Sequence, residues 1–185
     1  MLLALSLYPP TARQILRREM EQNLATFILW GTLDAVVAVS IMFQHGNWYL
    51  PAAYVLGCMV VITALIIVKT YSWTWFETAI AIMVVACIVG WKISGPRMAT
   101  IMSTTGVVLA GLPQLLDAYR KPATKPMIIY SLFTLANVLS VMGGKAWTVE
   151  ERLYPSACSI LCLMVTMAYG RKLFSRPSES GVLLH

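Results

Sequence analysis

Six apolar runs divide this chain, and runs of that kind leave the backbone one option. Crossing about 30 Å of hydrocarbon takes roughly 20 helical residues, and in lipid every N–H and C=O must find its partner inside the protein. Leu24–Phe43, Leu50–Val68, Trp73–Trp91, Met98–Leu116, Met127–Val141 and Leu153–Tyr169 are therefore read as membrane-crossing helices. With 58% hydrophobic and only 12% charged residues among 185, a soluble domain could not hide the apolar surface. The predicted class is an all-α integral membrane protein, with the lipid bilayer as its first partner.

The joints between runs carry their own signals. Gly46 and Asn47 make a turn after Leu24–Phe43, with Trp48 and Tyr49 at interface depth. Lys69 closes the second span, Trp91 and Lys92 the third, and Gly95-Pro96 then breaks the chain. Met1–Tyr8 is apolar but too short to cross, and it lacks the basic start and small-residue cleavage site of a secretory leader. It is read as the end of a first helix whose start lies upstream. Thr11–Asn23 reads as a polar connection, and 171–185 as a polar, disordered tail. The sequence therefore predicts six full spans plus one fragment.

The net charge of +6 sits in short loops rather than along one stripe, so no nucleic-acid partner is expected. Alternate connections hold ten basic residues on one side (Arg13, Arg17, Arg18, Lys69, Arg120, Lys121, Lys125, Arg171, Lys172, Arg176) and four on the other (Lys92, Arg97, Lys145, Arg152). The rule that basic loops stay in the cytoplasm places the amino terminus outside and the carboxyl terminus inside. An odd number of crossings is needed for that, which counts the fragment as a helix. Short loops and the lack of a eukaryotic sorting signal point to a bacterial inner membrane.

Gly111–Pro122 is the most informative stretch. Its Pro113-Gln114 pair ends one hydrophobic helix, the basic loop Tyr119-Arg120-Lys121 follows, and a second helix begins. Proline removes a backbone donor and bends a helix, while Gln114 can bond the freed carbonyl or line a cavity. This stretch resembles the PQ-loop motif of the SWEET, cystinosin and KDEL-receptor superfamily. A shift of the chain by 103 residues brings Pro10-Thr11 over Pro113-Gln114, Arg17-Arg18 over Arg120-Lys121, Leu29-Trp30 over Leu132-Phe133, and Asp34 over Asn137. Identities are few, but the order of spans agrees. Residues 1–68 and 97–170 would each form a triple-helix bundle, with 73–92 left as a linker helix. Three helices, a linker and three helices are two parallel repeats, the SWEET-like arrangement. The first copy departs from the family pattern in having Pro10-Thr11 for Pro-Gln. The asparagine that contacts sugar in the third helix of SWEETs has no counterpart in Leu50–Val68 or Leu153–Tyr169, so the resemblance by itself does not single out a sugar among the solutes.

Asp34 is the sharpest chemical feature. A carboxylate near mid-bilayer costs several kcal/mol unless it is paired, faces water or is protonated. It can serve as a substrate or proton-coupling site on the axis between repeats, or it can make an interhelical bond, for which Asn137 is the candidate partner. Asn137 can bind a polar solute or join helices at about 1 kcal/mol per bond. Trp30 and Phe133 lie one turn before those two residues and share their face, as solute contacts or as plain packing. Pro10, Pro113 and Gln114 would act as hinges or as static kinks. Some PQ-loop transporters, cystinosin among them, couple transport to protons through such acids, and the resemblance implies the same use of Asp34.

The remaining polar groups have plainer readings. Asp117 is expected to pair with Arg120 and Lys121, Glu77 to snorkel to the interface, and Glu150 and Glu151 to lie in a solvated loop. Ser103, Thr104, Thr105 and Gly106 suit close helix packing, with a lesser chance of lining the path. Cys58, Cys87, Cys158 and Cys162 lie in apolar segments without metal-ligand spacing and read as small buried hydrophobes. His45 and His185 are far from any ligand cluster, so no metal or cofactor is expected. No nucleophile–base pair, Gly-rich phosphate loop or redox cysteine pair is visible, so an enzyme is not expected. The function implied is a transporter of a small polar solute (a sugar, an amino acid or an organic acid) by alternating access. Proton coupling and assembly as a homo-oligomer stay open. The rival is a non-transporting receptor or scaffold, as the KDEL receptor shows is possible in the superfamily.

Overall fold

A computed structural model describes residues 1–19 and 22–174, and every regular element among them is a helix. In chain order these are α1 (Leu2–Ser6), α2 (Tyr8–Leu16), α3 (Leu24–Phe43), α4 (Tyr49–Val68), α5 (Trp75–Ala110), α6 (Leu112–Arg120), α7 (Thr124–Met142) and α8 (Val149–Phe174). Five helical stretches are long and apolar enough to cross a membrane: α3, α4, the 46 residues Trp75–Arg120, α7, and α8 as far as Arg171. The expected class, an all-α membrane protein, agrees with this. The expected tail does not start at residue 171, because α8 continues to Phe174, and from residue 175 onward it lies outside the described residues.

The break expected at Gly95-Pro96 is where α5 leaves helical geometry. Gly95 adopts φ 81° and ψ 179°, a conformation that side chains with a Cβ rarely reach, and Pro96 follows without a donor. The chain doubles back there. A Cβ added at Gly90 would stand 2.7 Å from the Met102 sulfur, and one at Gly106 would stand 2.9 Å from that of Met83. The two pairings step in opposite directions along the sequence, so residues 75–94 and 96–110 run antiparallel. Gly106 also meets Leu33, and Ser103 and Thr104 are buried. Ser103, Thr104 and Gly106 thus serve close packing, whereas Thr105 is exposed.

Two expectations need correction at the ends of helices. Thr11–Asn23 is not polar connection throughout, because α2 carries the helix to Leu16. Ala12 and Ile15, three residues apart, bury one face while Arg13 and Arg17 stay exposed. Glu150 and Glu151 are not in a solvated loop but in the first turn of α8. Glu151 is buried, and its Oε2 accepts from the Lys145 backbone N–H at 3.3 Å.

Glu77 does not snorkel. It closes a capping box with Thr74, its Oε2 accepting from the Thr74 N–H at 2.8 Å and from the Thr74 hydroxyl. Its Oε1 accepts from Asn23 Nδ2 at 2.9 Å and Thr26 Oγ1 at 3.1 Å. Asn23 also donates to the Ser72 carbonyl at 2.9 Å, so this knot ties the start of α3 to the start of α5.

Packing repeats between the halves of the chain. α4 lies against both α2 and α3, and α8 lies against both α6 and α7. A shift of 103 residues lays α2, α3 and α4 over α6, α7 and α8 to within four residues at every boundary. One contact is inverted between the halves. In the first, the Tyr8 ring of α2 fills the space over Gly57 of α4. In the second, Gly111 stands where Tyr8 would fall, and Leu161 of α8 fills the gap from the other side. Knob and hole have changed helices.

The outside of the bundle is apolar and the inside is not. Leu56, Met59, Ile66, Ile67, Ile82, Val85 and Ile93 are exposed, whereas Asp34, Thr100, Ser103, Thr104 and Asn137 are buried. Exposed apolar surface of this extent needs lipid around it. The Gly57 contact yields a test. Gly57→Ala would push a methyl into the rigid, buried Tyr8 ring and is expected to cost about 1–3 kcal/mol. Gly111→Ala would meet only the rotatable end of Leu161 and should cost less. Thermal unfolding of both variants in detergent checks the order.

Candidate functional site

The polar centre of the bundle is built from helices of both halves. Asp34 of α3, 5% exposed, accepts a hydrogen bond from the Tyr154 hydroxyl of α8 through Oδ1 at 2.6 Å. Asn137 of α7, fully buried, donates from Nδ2 to the Tyr54 hydroxyl of α4 at 2.6 Å and to the Phe133 carbonyl at 2.8 Å. Asp34 and Asn137 are therefore not partners, which corrects the expected bond between them. Each binds a tyrosine from the opposite half instead. A hydroxyl on a long aromatic stem can span the gap between α3 and α8, or α4 and α7, where two short side chains facing across the axis cannot.

A cavity of about 120 Å³ lies beside this pair of bonds. Asp34, Trp30, Phe133 and Gln114, four of the expected site residues, line it. Tyr8, Tyr54, Tyr130, Tyr154 and Phe27 complete an aromatic wall, and Cys58, Cys158 and Cys162 fill between them. Tyr8, Tyr54 and Phe133 contact one another with ring centroids 5.5–6.3 Å apart, in edge-to-face geometry. All four cysteines are free thiols, and no group of three or more His, Cys, Asp or Glu among the described residues is placed to hold a metal ion.

Asn137 stands behind this wall, reaching the cavity only through Tyr54 and Phe133. Its Oδ1 and the Trp30 Nε1 are buried without a hydrogen-bond partner among the described residues. Such orphaned groups inside a membrane bundle are costly, and a ligand or water that meets them recovers the loss.

Toward one end the cavity opens into a vestibule of about 600 Å³. Gln22, Trp30 and Gln114 line both spaces and form the neck between them. Gln114 donates to the Tyr169 hydroxyl at 2.8 Å and accepts from Gln22 Nε2 at 3.4 Å, so this amide joins α6, α8 and the segment before α3. Pro113 lines the vestibule with Arg18, Glu77, Asp117 and Lys121. Pro10 does not, but faces a separate shallow hollow with Arg13, Arg17 and Glu19. Its neighbour Thr11 does line the inner cavity, as Gln114 does 103 residues on.

The opposite end is held together by direct contacts between loops and helix ends. A Cβ on Gly46 would stand 3.1 Å from the Glu150 carbonyl, so the α3–α4 turn rests directly on the start of α8. Gln44 donates to Thr100 Oγ1 at 2.9 Å, fastening α3 to α5. Arg152 donates to the carbonyls of Gly144 at 2.6 Å and Ala146 at 3.0 Å, and its guanidinium lies 4.4 Å from the Trp147 ring centre.

Sequence reasoning found Asp34 and Asn137 but missed Tyr54 and Tyr154. A signal was present: each tyrosine sits in an apolar span within a turn of a proline, Pro51 and Pro155. The capping box at Thr74–Glu77 was equally legible as Thr-x-x-Glu before an apolar run. Compared with known protein families, with characterised proteins and with solved structures, the chain has no significant match.

The two tyrosine bonds differ in strength. Tyr154→Phe removes a donor from a buried carboxylate and is expected to cost about 1.5–3 kcal/mol. Tyr54→Phe leaves Asn137 its bond to Phe133 and should cost about 0.6–1.7 kcal/mol. Unfolding of the purified variants measures both.

Proposed function

We propose that the protein is a membrane transporter of the PQ-loop, SWEET-like kind, moving a small polar solute by alternating access. In this reading α1–α2, α3 and α4 form one triple-helix bundle, and residues 96–120, α7 and α8 form the other. Residues 75–94 are the linker span that sets the two bundles parallel. The chain then has six full crossings and the N-terminal helix Leu2–Leu16.

The observation that carries the reading is the cavity at Asp34, set between the halves and joined to a wide vestibule at one end, while contacts such as Gly46 on Glu150 hold the other end together. A carrier must hold its solute between two gates, and this arrangement supplies a site with one gate open. The open end carries Arg18, Lys69 and Lys121, which the basic-loop rule assigns to the cytoplasm of a bacterial inner membrane. The bonds Tyr154–Asp34 and Asn137–Tyr54 cross between the bundles at mid-depth. They would form the pivot about which the ends open in turn, with the Pro10 and Pro113 bends taking up the strain. Asp34 is the only acid among the described residues lining the inner cavity and is the group through which a proton would couple to solute.

Purified protein in liposomes containing a pH-sensitive dye tests this. A panel of sugars, amino acids, amines and organic acids is added outside, and uptake and proton movement are followed together. Asp34→Asn keeps an acceptor for Tyr154 but loses the charge. It is expected to cut uptake at least about tenfold, the scale of a lost charged hydrogen bond, and to abolish any linked proton signal. Solute binding with no uptake, unchanged in Asp34→Asn, would favour a receptor or scaffold instead.

A further inference from the structure

The charge and the ring content of the inner cavity narrow what it can hold. Among the described residues that line it, Asp34 is the only charged one, and none is a lysine, arginine or histidine. We infer that the cavity binds a small organic monocation, an ammonium or quaternary ammonium compound, held by the Asp34 carboxylate and the rings of Trp30, Tyr54, Phe133 and Tyr154. This rests on the solute-carrier reading above and supplies its substrate class.

Three physical arguments favour a cation over the alternatives. A cation at mid-membrane depth needs a fixed opposite charge and polarisable walls, and aromatic rings supply the latter through their negative faces. An organic acid would meet Asp34 with no counter-cation in reach. A sugar would bring several hydroxyls into a wall whose tyrosine hydroxyls at positions 54 and 154 are already bonded to Asn137 and Asp34. Trp30 Nε1 and the second oxygen of Asp34 could take one or two of them, and each one beyond that left unpaired is costly. A quaternary ammonium group has no N–H to satisfy, and its larger radius makes it less costly to take out of water than a primary ammonium.

Size agrees. The cavity measures about 120 Å³. In another protein an apolar cavity of about 150 Å³ takes up benzene, so this one matches roughly five non-hydrogen atoms, the size of a tetramethylammonium head group. The amides of Gln22 and Gln114 at the neck would then meet a hydroxyl or similar group on the far end of the cation.

Calorimetric titration of the full-length protein in lipid nanodiscs tests the assignment. The probes are choline, its uncharged carbon isostere 3,3-dimethyl-1-butanol, glucose and acetate. Choline is expected to bind at least about tenfold tighter than the isostere. Asp34→Asn should abolish that preference. Phe133→Leu, which keeps the wall apolar but removes a ring, should weaken choline severalfold and leave the isostere unchanged. The second variant decides the matter should the first not fold. Equal binding of choline and its isostere, or binding of glucose or acetate in preference to choline, overturns the cation assignment and leaves a solute carrier standing. Binding of none of the four overturns the assignment and speaks against a solute site at Asp34 altogether.

Discussion

Two hydrogen bonds between tyrosine hydroxyls and buried polar side chains hold the centre of this molecule together. In water an aspartate or an asparagine is satisfied wherever it sits. Inside a membrane bundle each must be bonded by the protein or bear a cost of several kcal/mol. Here α3 gives its acid to a tyrosine of α8, and α7 gives its amide to a tyrosine of α4. Each bond crosses from one half of the chain to the other. Neither half can therefore settle its own polar residue, and the two must assemble face to face.

The same constraint places the cavity. Tyrosine is the one side chain that reaches across the gap with a hydroxyl while presenting an apolar body on the way. Using two of them lines the space between the halves with rings, to which Tyr8, Trp30 and Phe133 add theirs. Helix packing elsewhere is tight by contrast. Gly57 admits the Tyr8 ring, Gly111 admits Leu161, and Gly90 and Gly106 bring the two arms of α5 together. Close contact at these glycines and an open centre at the tyrosines together make a bundle with a polar interior and an apolar coat.

Much of this was legible in the chain. Runs of apolar residues marked the spans because lipid allows the backbone no other form, and α3 falls on Leu24–Phe43 as the hydropathy placed it. Gly95-Pro96 marked the fold-back because the residue pair forbids helix. Under the shift of 103 residues that set Asp34 over Asn137, α2, α3 and α4 fall on α6, α7 and α8 in the same order, although α8, at 26 residues, is six longer than α4, at 20. What the sequence hid were the partners. Asp34 pairs with a residue 120 positions away, and nothing in local spacing points to Tyr154. Glu77 and Glu151 looked like surface charges because a carboxylate near a helix end usually is one. Only the approach of Asn23 and Thr26, or of the Lys145 backbone, turns them into buried anchors.

In the proposed carrier the centre stays fixed while the two ends open and close in opposition. Electron-spin distance measurements address this directly. One pair of labels is placed at His45 and Glu150 on the end opposite the vestibule, another at Arg18 and Lys121 on the vestibule, in protein whose native cysteines have been replaced. On addition of a transported solute or of acid, the first distance should lengthen in the fraction of molecules in which the second shortens. Both distances holding constant under every condition, or both changing in the same direction, would contradict alternating access about Asp34.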